Sequence, residues 1–325
     1  GWMPDRAALI HDFVSNTVWK DWPRKPIQGD ASSRRYWRLT NGDQTVILMD
    51  DAPELGGSTV SFAAIAQLLL GHGLCAPHIL AHDPDNGLMI ISDLGNHDVA
   101  ALLRARPEQE MALYRISVEV LVKLHNIKPP DDLGRMTAQV GADMLNPVGT
   151  FYCRADITDL QRQMLVALET YAPIANTLAL RDYHAENLVW RSAHEGLDRV
   201  GLLDFQDAFV APAGYDLASL LRDARRDVGQ DTTEEMITYF SEQINAGPTF
   251  RTQLACVAIQ RNLRILGVFG RLSLKMGKVR YLDLIPRVWG HIMTDLEDPK
   301  LARLRQAVLD TVPAPTKELL AGLRS

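Results

Sequence analysis

Cysteine is scarce in this chain: Cys75, Cys153 and Cys256 are odd in number and far apart in 325 residues. That usage excludes a disulfide framework and suits a reducing compartment. No apolar run approaches the roughly 20 residues of a membrane-spanning helix. No basic stretch followed by an apolar one opens the sequence, so neither a membrane anchor nor a secretory leader is expected. Positive charge is not in excess either. Lys+Arg total 34 against 40 Asp+Glu, a formal charge of −6, which argues against a general nucleic-acid binder. A small acidic ligand stays open, because one local arginine cluster suffices for it. Repeats and low-complexity tracts are missing, which removes solenoids. What remains, 46% hydrophobic and 23% charged, is an ordinary globular balance at about two domains' length. A cytoplasmic protein with no membrane, nucleic-acid or obligate protein partner is the expectation.

The sequence that is present changes character at 92–95. Before it, apolar spacing predicts helices over 5–18, where Asp5 can cap, and over 58–70. Strands are predicted over 35–39 and 44–49, joined by the hairpin signal Asn41-Gly42-Asp43, and over 78–81 and 88–92. After it, helical patterns run over 111–124, 156–171, 215–226, 233–244, 250–274 and 284–296, interrupted by a strand–loop–strand segment over 178–205. The predicted fold class is therefore α+β and two-lobed, with a small antiparallel-sheet lobe (1–94) and a larger, mainly helical lobe (95–325). Ligand clefts favour such junctions.

The chemistry concentrates in Leu180-Arg-Asp-Tyr-His-Ala-Glu-Asn-Leu-Val-Trp190 and Gly201-Leu-Leu-Asp-Phe-Gln-Asp207. Phosphoryl transfer needs a carboxylate to orient and deprotonate the acceptor hydroxyl, oxygen ligands for Mg²⁺, and a grip on the phosphates. Asp182-x-x-x-x-Asn187 followed by a strand-borne Asp204 supplies the first two, at the spacing of the protein-kinase pattern. Alone, either fragment reads equally well as a polar hairpin loop. Their order and separation, downstream of a sheet-rich lobe, favour catalysis. A candidate phosphate loop precedes them at 29–38. There Gly29 and its small neighbours permit close backbone approach, and Ser32 and Ser33 add hydroxyl donors.

Together these motifs resemble the aminoglycoside phosphotransferase and choline kinase superfamily, a protein-kinase-like fold for small-molecule acceptors, over essentially residues 25–295. The resemblance implies ATP and Mg²⁺ as cofactors, Asp182 as the base, and Asn187 and Asp204 as metal ligands. It implies nucleotide binding at the hinge, beside Ser92, Asp93 and Leu94. Asp216, in Tyr215-Asp-Leu-Ala218, is implied to cap a helix or brace the catalytic loop. Arg181 stands where the superfamily usually has glycine. Two further departures matter. Met49 occupies the position of the strand lysine, and the helix over 58–70 lacks that lysine's acidic partner. Either Arg34 or Arg38, which alternate onto one strand face, is expected to grip the phosphates instead.

A narrower resemblance, through Gly29 to Tyr36, Val46 to Pro53 (with an extra Asp), Arg181 to Leu188, Leu203 to Ala208 and Gly277 to Leu282, is to the bacterial anomeric sugar kinases of cell-wall recycling. These also lack the strand lysine. They phosphorylate N-acetylmuramate and N-acetylglucosamine at the 1-position, which implies a small amino-sugar acceptor. A hemiacetal hydroxyl is acidic for an alcohol, so one Asp suffices as base. The lactyl carboxylate of N-acetylmuramate suits an arginine. Arg261, Arg264 and Arg271 share one side of a predicted helix, and Arg280 follows it, though each reads equally as a solvated basic face. Asp207 and the pair Phe151-Tyr152 are candidate acceptor contacts, Tyr152 as an apolar wall. His184 is open between an acceptor contact and a structural role. Another small hydroxylated acceptor (an aminoglycoside or choline) and an inactive nucleotide-binding scaffold are the rival readings. His72, Cys75, His78 and His82 read as a structural turn rather than a zinc site, because Pro77 aims them apart.

Overall fold

The computed structural model describes residues 5–28 and 32–324. Its first elements are α1 (Arg6–Ser15), β1 (Arg24–Ile27), β2 (Arg35–Asn41), β3 (Gln44–Asp50), α2 (Thr59–Gly71), β4 (Ile79–Asp83) and β5 (Leu88–Ser92). Asp5 caps α1 by accepting from the Ala7 amide, and Ser58 caps α2 by accepting from Ser61. Gly42, at φ 60°, closes the β2–β3 hairpin with Asn41 paired to Gln44. Among the described residues the strands form one antiparallel sheet in the order β1-β2-β3-β5-β4. β1 is the strand that periodicity misses. It is a short edge strand, polar and mostly exposed, with Pro26 inside it, so no apolar alternation marks it.

Strand parity assigns the two faces of this sheet. Leu39, Val46, Leu48, Leu88 and Ile90 pack under Ile10 and Val14 of α1. On that face Asp50 pairs with both Arg6 and Arg35. The opposite face carries Arg34, Tyr36, Arg38 and Met49, with Tyr36 paired to Met49 across the ladder and Arg38 to Ile47.

The chain continues through α3 (Val99–Ala105), α4 (Glu110–His125), α5 (Ala138–Asp143), α6 (Thr158–Tyr171), β6 (Ala175–Ala179), β7 (Leu188–Trp190), β8 (Val200–Leu202) and β9 (Phe209–Pro212). It ends with α7 (Tyr215–Leu221), α8 (Gln230–Gln243), α9 (Phe250–Met276), α10 (Ile285–Asp295), α11 (Ala302–Thr311) and α12 (Lys317–Gly322). Two compact units result. The first comprises Gly1–Val99 with Asn187–Asp207, and so includes the β7–β8 hairpin; the second comprises Ala100–Glu186 with Ala208–Ser325.

In the second unit β6 pairs antiparallel with β9, and α9 forms the centre. Most of its residues are buried, with Arg251 and Arg271 among the few that are exposed. Gly277, at φ 65°, ends it, with the Lys278 amide reaching back to the Leu272 carbonyl. Helix α7 stops at Leu221, short of the predicted 226. The Asp223 carboxylate accepts from the Arg225 amide, a local turn that competes with helix continuation.

Gly267 permits a π-helical turn (Val148–Cys153) to lie directly on α9. A Cβ there would come within 2.3 Å of the Pro147 carbonyl carbon and 2.4 Å of the Val148 nitrogen. Alanine within a helix normally gains about 1 kcal/mol over glycine. Gly267→Ala is instead expected to lose about 2 kcal/mol, because backbone must be displaced. A urea midpoint no lower than the parent's would contradict the close approach.

Candidate active site

Where the chain leaves β6, two anchors hold the loop that carries Asp182. The Asp216 carboxylate, in the first turn of α7, accepts from the Leu180 amide at 2.7 Å and the Arg181 amide at 2.9 Å. The buried Tyr183 hydroxyl donates to the Ser117 carbonyl at 2.6 Å. Asp216 therefore braces the loop. Burial pushes its carboxyl up to about 6, against the lowering effect of those two amides. A folded value above the unfolded one means that its contribution to stability rises as pH falls from about 6 towards 4, and is smallest at neutral pH. Asp182 itself is half exposed, with the Arg261 guanidinium 3.7 Å from its Oδ1. His184 is buried. Desolvation, with the cations of Arg225 and Arg261, holds it well below its ordinary value, so it is neutral and packs as structure.

Among the described residues, four other than glycine adopt positive φ: Arg154, Arg181, Asp204 and Asn245. Arg154 and Asn245 follow helical ends, where left-handed residues are ordinary. Arg181 (φ 81°) and Asp204 (φ 57°) do not, and both lie in the sequence motifs. Strain of this kind costs about 1–3 kcal/mol and gathers at functional positions. The first case explains the usual glycine at the position of Arg181.

In the first unit, β7 and β8 deliver Asn187 and Asp204. The Phe205 ring stacks on Phe62 of α2 at 4.8 Å, which anchors the turn next to Asp204. The Asp204 carboxylate accepts from Arg34 Nη2 at 2.8 Å and Gln206 Nε2 at 2.7 Å, and Asn187 Nδ2 lies 3.4 Å from its Oδ2. Arg34 is steadied by its Nε donating to the Tyr36 hydroxyl. Arg38 is engaged differently: Asp93 binds it at 2.7 and 3.3 Å. Burial raises the Asp93 carboxyl, but Arg38, Thr45 and the Gly95 amide outweigh it and hold the group below the usual range. These residues border a cavity of about 460 Å³ lined by Arg38, Thr45, Asp93, Leu94, Trp190 and His194.

The remaining sequence candidates divide. Gly29 lies outside the described residues. Ser32 Oγ accepts from the Arg34 amide and shapes the loop, while Ser33 is exposed. Ser92 Oγ accepts from the His78 amide, which fastens the end of β5. Asp207 is exposed. Tyr152 requires a correction. It is 3% exposed and its hydroxyl donates to the Pro313 carbonyl, so it packs as core and offers no wall to a sugar. Arg271 is exposed, and Arg280 lies over the Tyr281 ring at 4.7 Å. Gln206 and Tyr36, which hold Asp204 and Arg34, were missed; hydrogen bonds made through folding leave no periodic trace.

Residues 23–249 match the model of the phosphotransferase enzyme family. The chain belongs to that family. Relatives of this phosphotransferase include the N-acetylmuramate/N-acetylglucosamine kinase of Caulobacter vibrioides, 32% identical over 96% of this chain and 98% of that protein. The protein of the same name from Pseudomonas aeruginosa is 29% identical over 86% of each. A choline/ethanolamine kinase family protein from Mesorhizobium loti has the same fold, with TM-score 0.63, 15% identity and coverage of 94% of this chain and 99% of that one. No helix among the described residues of this phosphotransferase is long and apolar enough to cross a membrane.

The brace on the loop that carries Asp182 is testable. Asp216→Asn keeps the volume but supplies one acceptor for two amides. The expected result is a kcat at least tenfold lower, with the ATP KM within twofold. An unchanged kcat would show that the loop holds its shape without Asp216.

Proposed function

We propose that the chain is an ATP-dependent kinase that phosphorylates the anomeric 1-hydroxyl of N-acetylmuramate or N-acetylglucosamine. The observation that carries the acceptor is near full-length similarity to kinases named for those two sugars. The geometry supports the chemistry. Asp182, exposed on a braced loop, orients the acceptor hydroxyl and takes its proton as the O–P bond forms. Asn187 and Asp204 suit Mg²⁺: one carboxylate and one carboxamide are a normal protein share for an ion that fills its shell with water and substrate phosphate. Asn187 and Asp204 would hold such an ion, which would supply neutralisation of phosphate charge. Nucleotide binding is assigned to the lobe over 1–94, with Asp93 and Leu94 at the base and Asn187 and Asp204 contributed by the later hairpin. Acceptor binding is assigned to the lobe over 95–325.

Arg34 is the proposed replacement for the strand lysine. Met49 is fully buried on the same sheet face and has no charge to offer. Arg38 already has its Nε and Nη2 on Asp93. Arg34 reaches Asp204 directly and presents a planar fork suited to phosphate.

Two measurements test these roles. Coupled ADP release with Mg·ATP should depend on either acetylated sugar and not on kanamycin or choline, and phosphorus NMR should find a 1-phosphate. Turnover on kanamycin or choline alone would overturn the acceptor. Asp182→Asn should abolish turnover while retaining ATP affinity. Arg34→Ala should lower kcat/KM for ATP about a hundredfold, as expected for a lost phosphate donor, and Arg38→Ala by much less. Equal effects of the two arginine variants would refute the assignment to Arg34.

A further inference from the structure

Helix α9 carries a buried cation whose hydrogen-bonding capacity is unused. Arg261 is 8% exposed, and its guanidinium lies 3.7 Å from Asp182 Oδ1. That separation is an ion pair, too long for a hydrogen bond. Among the described residues none of the N–H donors of Arg261 makes a hydrogen bond. Other arginines of this unit behave differently. Arg222 and Arg226, less deeply buried, each meet a carboxylate at 2.8 Å. The buried carboxylates are committed elsewhere, Asp216 to two loop amides and Asp295 to Arg222.

A cation withdrawn from water without a hydrogen-bond partner is costly. Held in place, it is preorganised for an anion that arrives with the substrates. The nitrogens of Arg261 are not among the unpartnered polar atoms sealed from solvent, so an incoming group can reach them. The chemistry at Asp182 identifies that group. The acceptor oxygen that gives its proton to Asp182 is the one that bonds the γ-phosphorus, so the phosphoryl group stands one bond beyond the atom that Asp182 contacts. Its equatorial oxygens carry the charge of the transition state. The hydroxyls of N-acetylglucosamine are neutral, whereas every turnover brings the phosphoryl group.

We propose that Arg261 is a catalytic residue that donates to the equatorial oxygens of the γ-phosphoryl group during transfer, an arginine finger supplied in cis by α9. The inference rests on Asp182 as the base. In the step the acceptor oxygen bonds phosphorus and its proton passes to Asp182. The bond from phosphorus to the bridging oxygen breaks, with its electron pair left on ADP. Arg261 binds the group most strongly in transit and so acts on kcat, whereas the grip assigned to Arg34 is on ATP itself.

The test measures kcat, both KM values and the melting temperature of Arg261→Ala and Arg261→Lys, in the full chain with Mg·ATP and whichever acetylated sugar turns over. Arg261→Ala should lower kcat about a thousandfold, the scale of a lost arginine finger, with both KM values within about threefold. Millimolar guanidinium should recover about tenfold of that loss, a rescue that a packing defect does not allow. Arg261→Lys keeps the charge and loses the fork. It should melt as the parent does and bind ADP equally well, but bind the ADP–aluminium fluoride mimic of the transferring group about tenfold more weakly. A kcat near the parent's, a loss confined to the sugar KM, or a loss that guanidinium leaves unchanged would overturn the proposal. Should Arg261→Ala not fold, undiminished binding of the mimic by Arg261→Lys would overturn it instead. Turnover by Asp182→Asn would remove the base and the finger together; an inactive Asp182→Asn beside an unaffected Arg261→Ala removes the finger alone. If neither sugar turns over, the acceptor reading falls, and binding of the mimic decides the role of Arg261.

Discussion

The carboxylate of Asp204 holds together the part of the first unit to which nucleotide binding is proposed. Arg34 from the loop before β2, Gln206 from the turn after β8 and Asn187 from the turn just before β7 all converge on its two oxygens. With Arg34 and Asp204 only 10% and 17% exposed as side chains, their charge-assisted contact is worth more than a surface ion pair. Loss of either partner leaves the other charge poorly solvated. The left-handed backbone at Asp204 is tolerated because Phe205 beside it is buried against Phe62. Strain at one residue is thus offset by packing at the next.

The proposed acceptor side follows the same logic with different parts. Asp216, a buried carboxylate, orients two loop amides at the expense of its own ionisation, so its carboxyl is pushed up to about 6. Tyr183 fixes the loop a second time through a main-chain carbonyl. Between those anchors Asp182 stays half exposed, as the role of base proposed for it would require.

The proposed replacement of the strand lysine by Arg34 would move a phosphate grip within one fold. Met49 keeps the strand apolar on the face where a lysine would need a buried counter-ion, and α2 carries none. On that proposal the cation comes from Arg34, just before the neighbouring strand and on the same face by parity, with Tyr36 and Asp204 as its supports. The extra acid in Met49-Asp50-Asp51 divides between the two faces. Asp50 joins Arg6 and Arg35 under α1, and Asp51 accepts from the Ser58 amide ahead of α2.

Much of this was legible in the sequence, because it depends on local order. Helix caps at Asp5 and Ser58, the Gly42 hairpin, the apolar spacing of α9 and the ordered set Asp182, Asn187 and Asp204 are all short-range patterns. The family resemblance likewise attaches to contiguous motifs. Long-range partners were not legible. Arg34 and Arg38 have the same strand parity and equal charge, and only the carboxylates brought to them by folding, Asp204 to one and Asp93 to the other, tell them apart. Tyr152 reads as an apolar wall for the acceptor until Pro313, far along the chain, takes its hydroxyl. Residue type and spacing determine which groups are available for chemistry; tertiary packing decides which of them are already paired, because burial and hydrogen-bond partners come from segments remote in sequence.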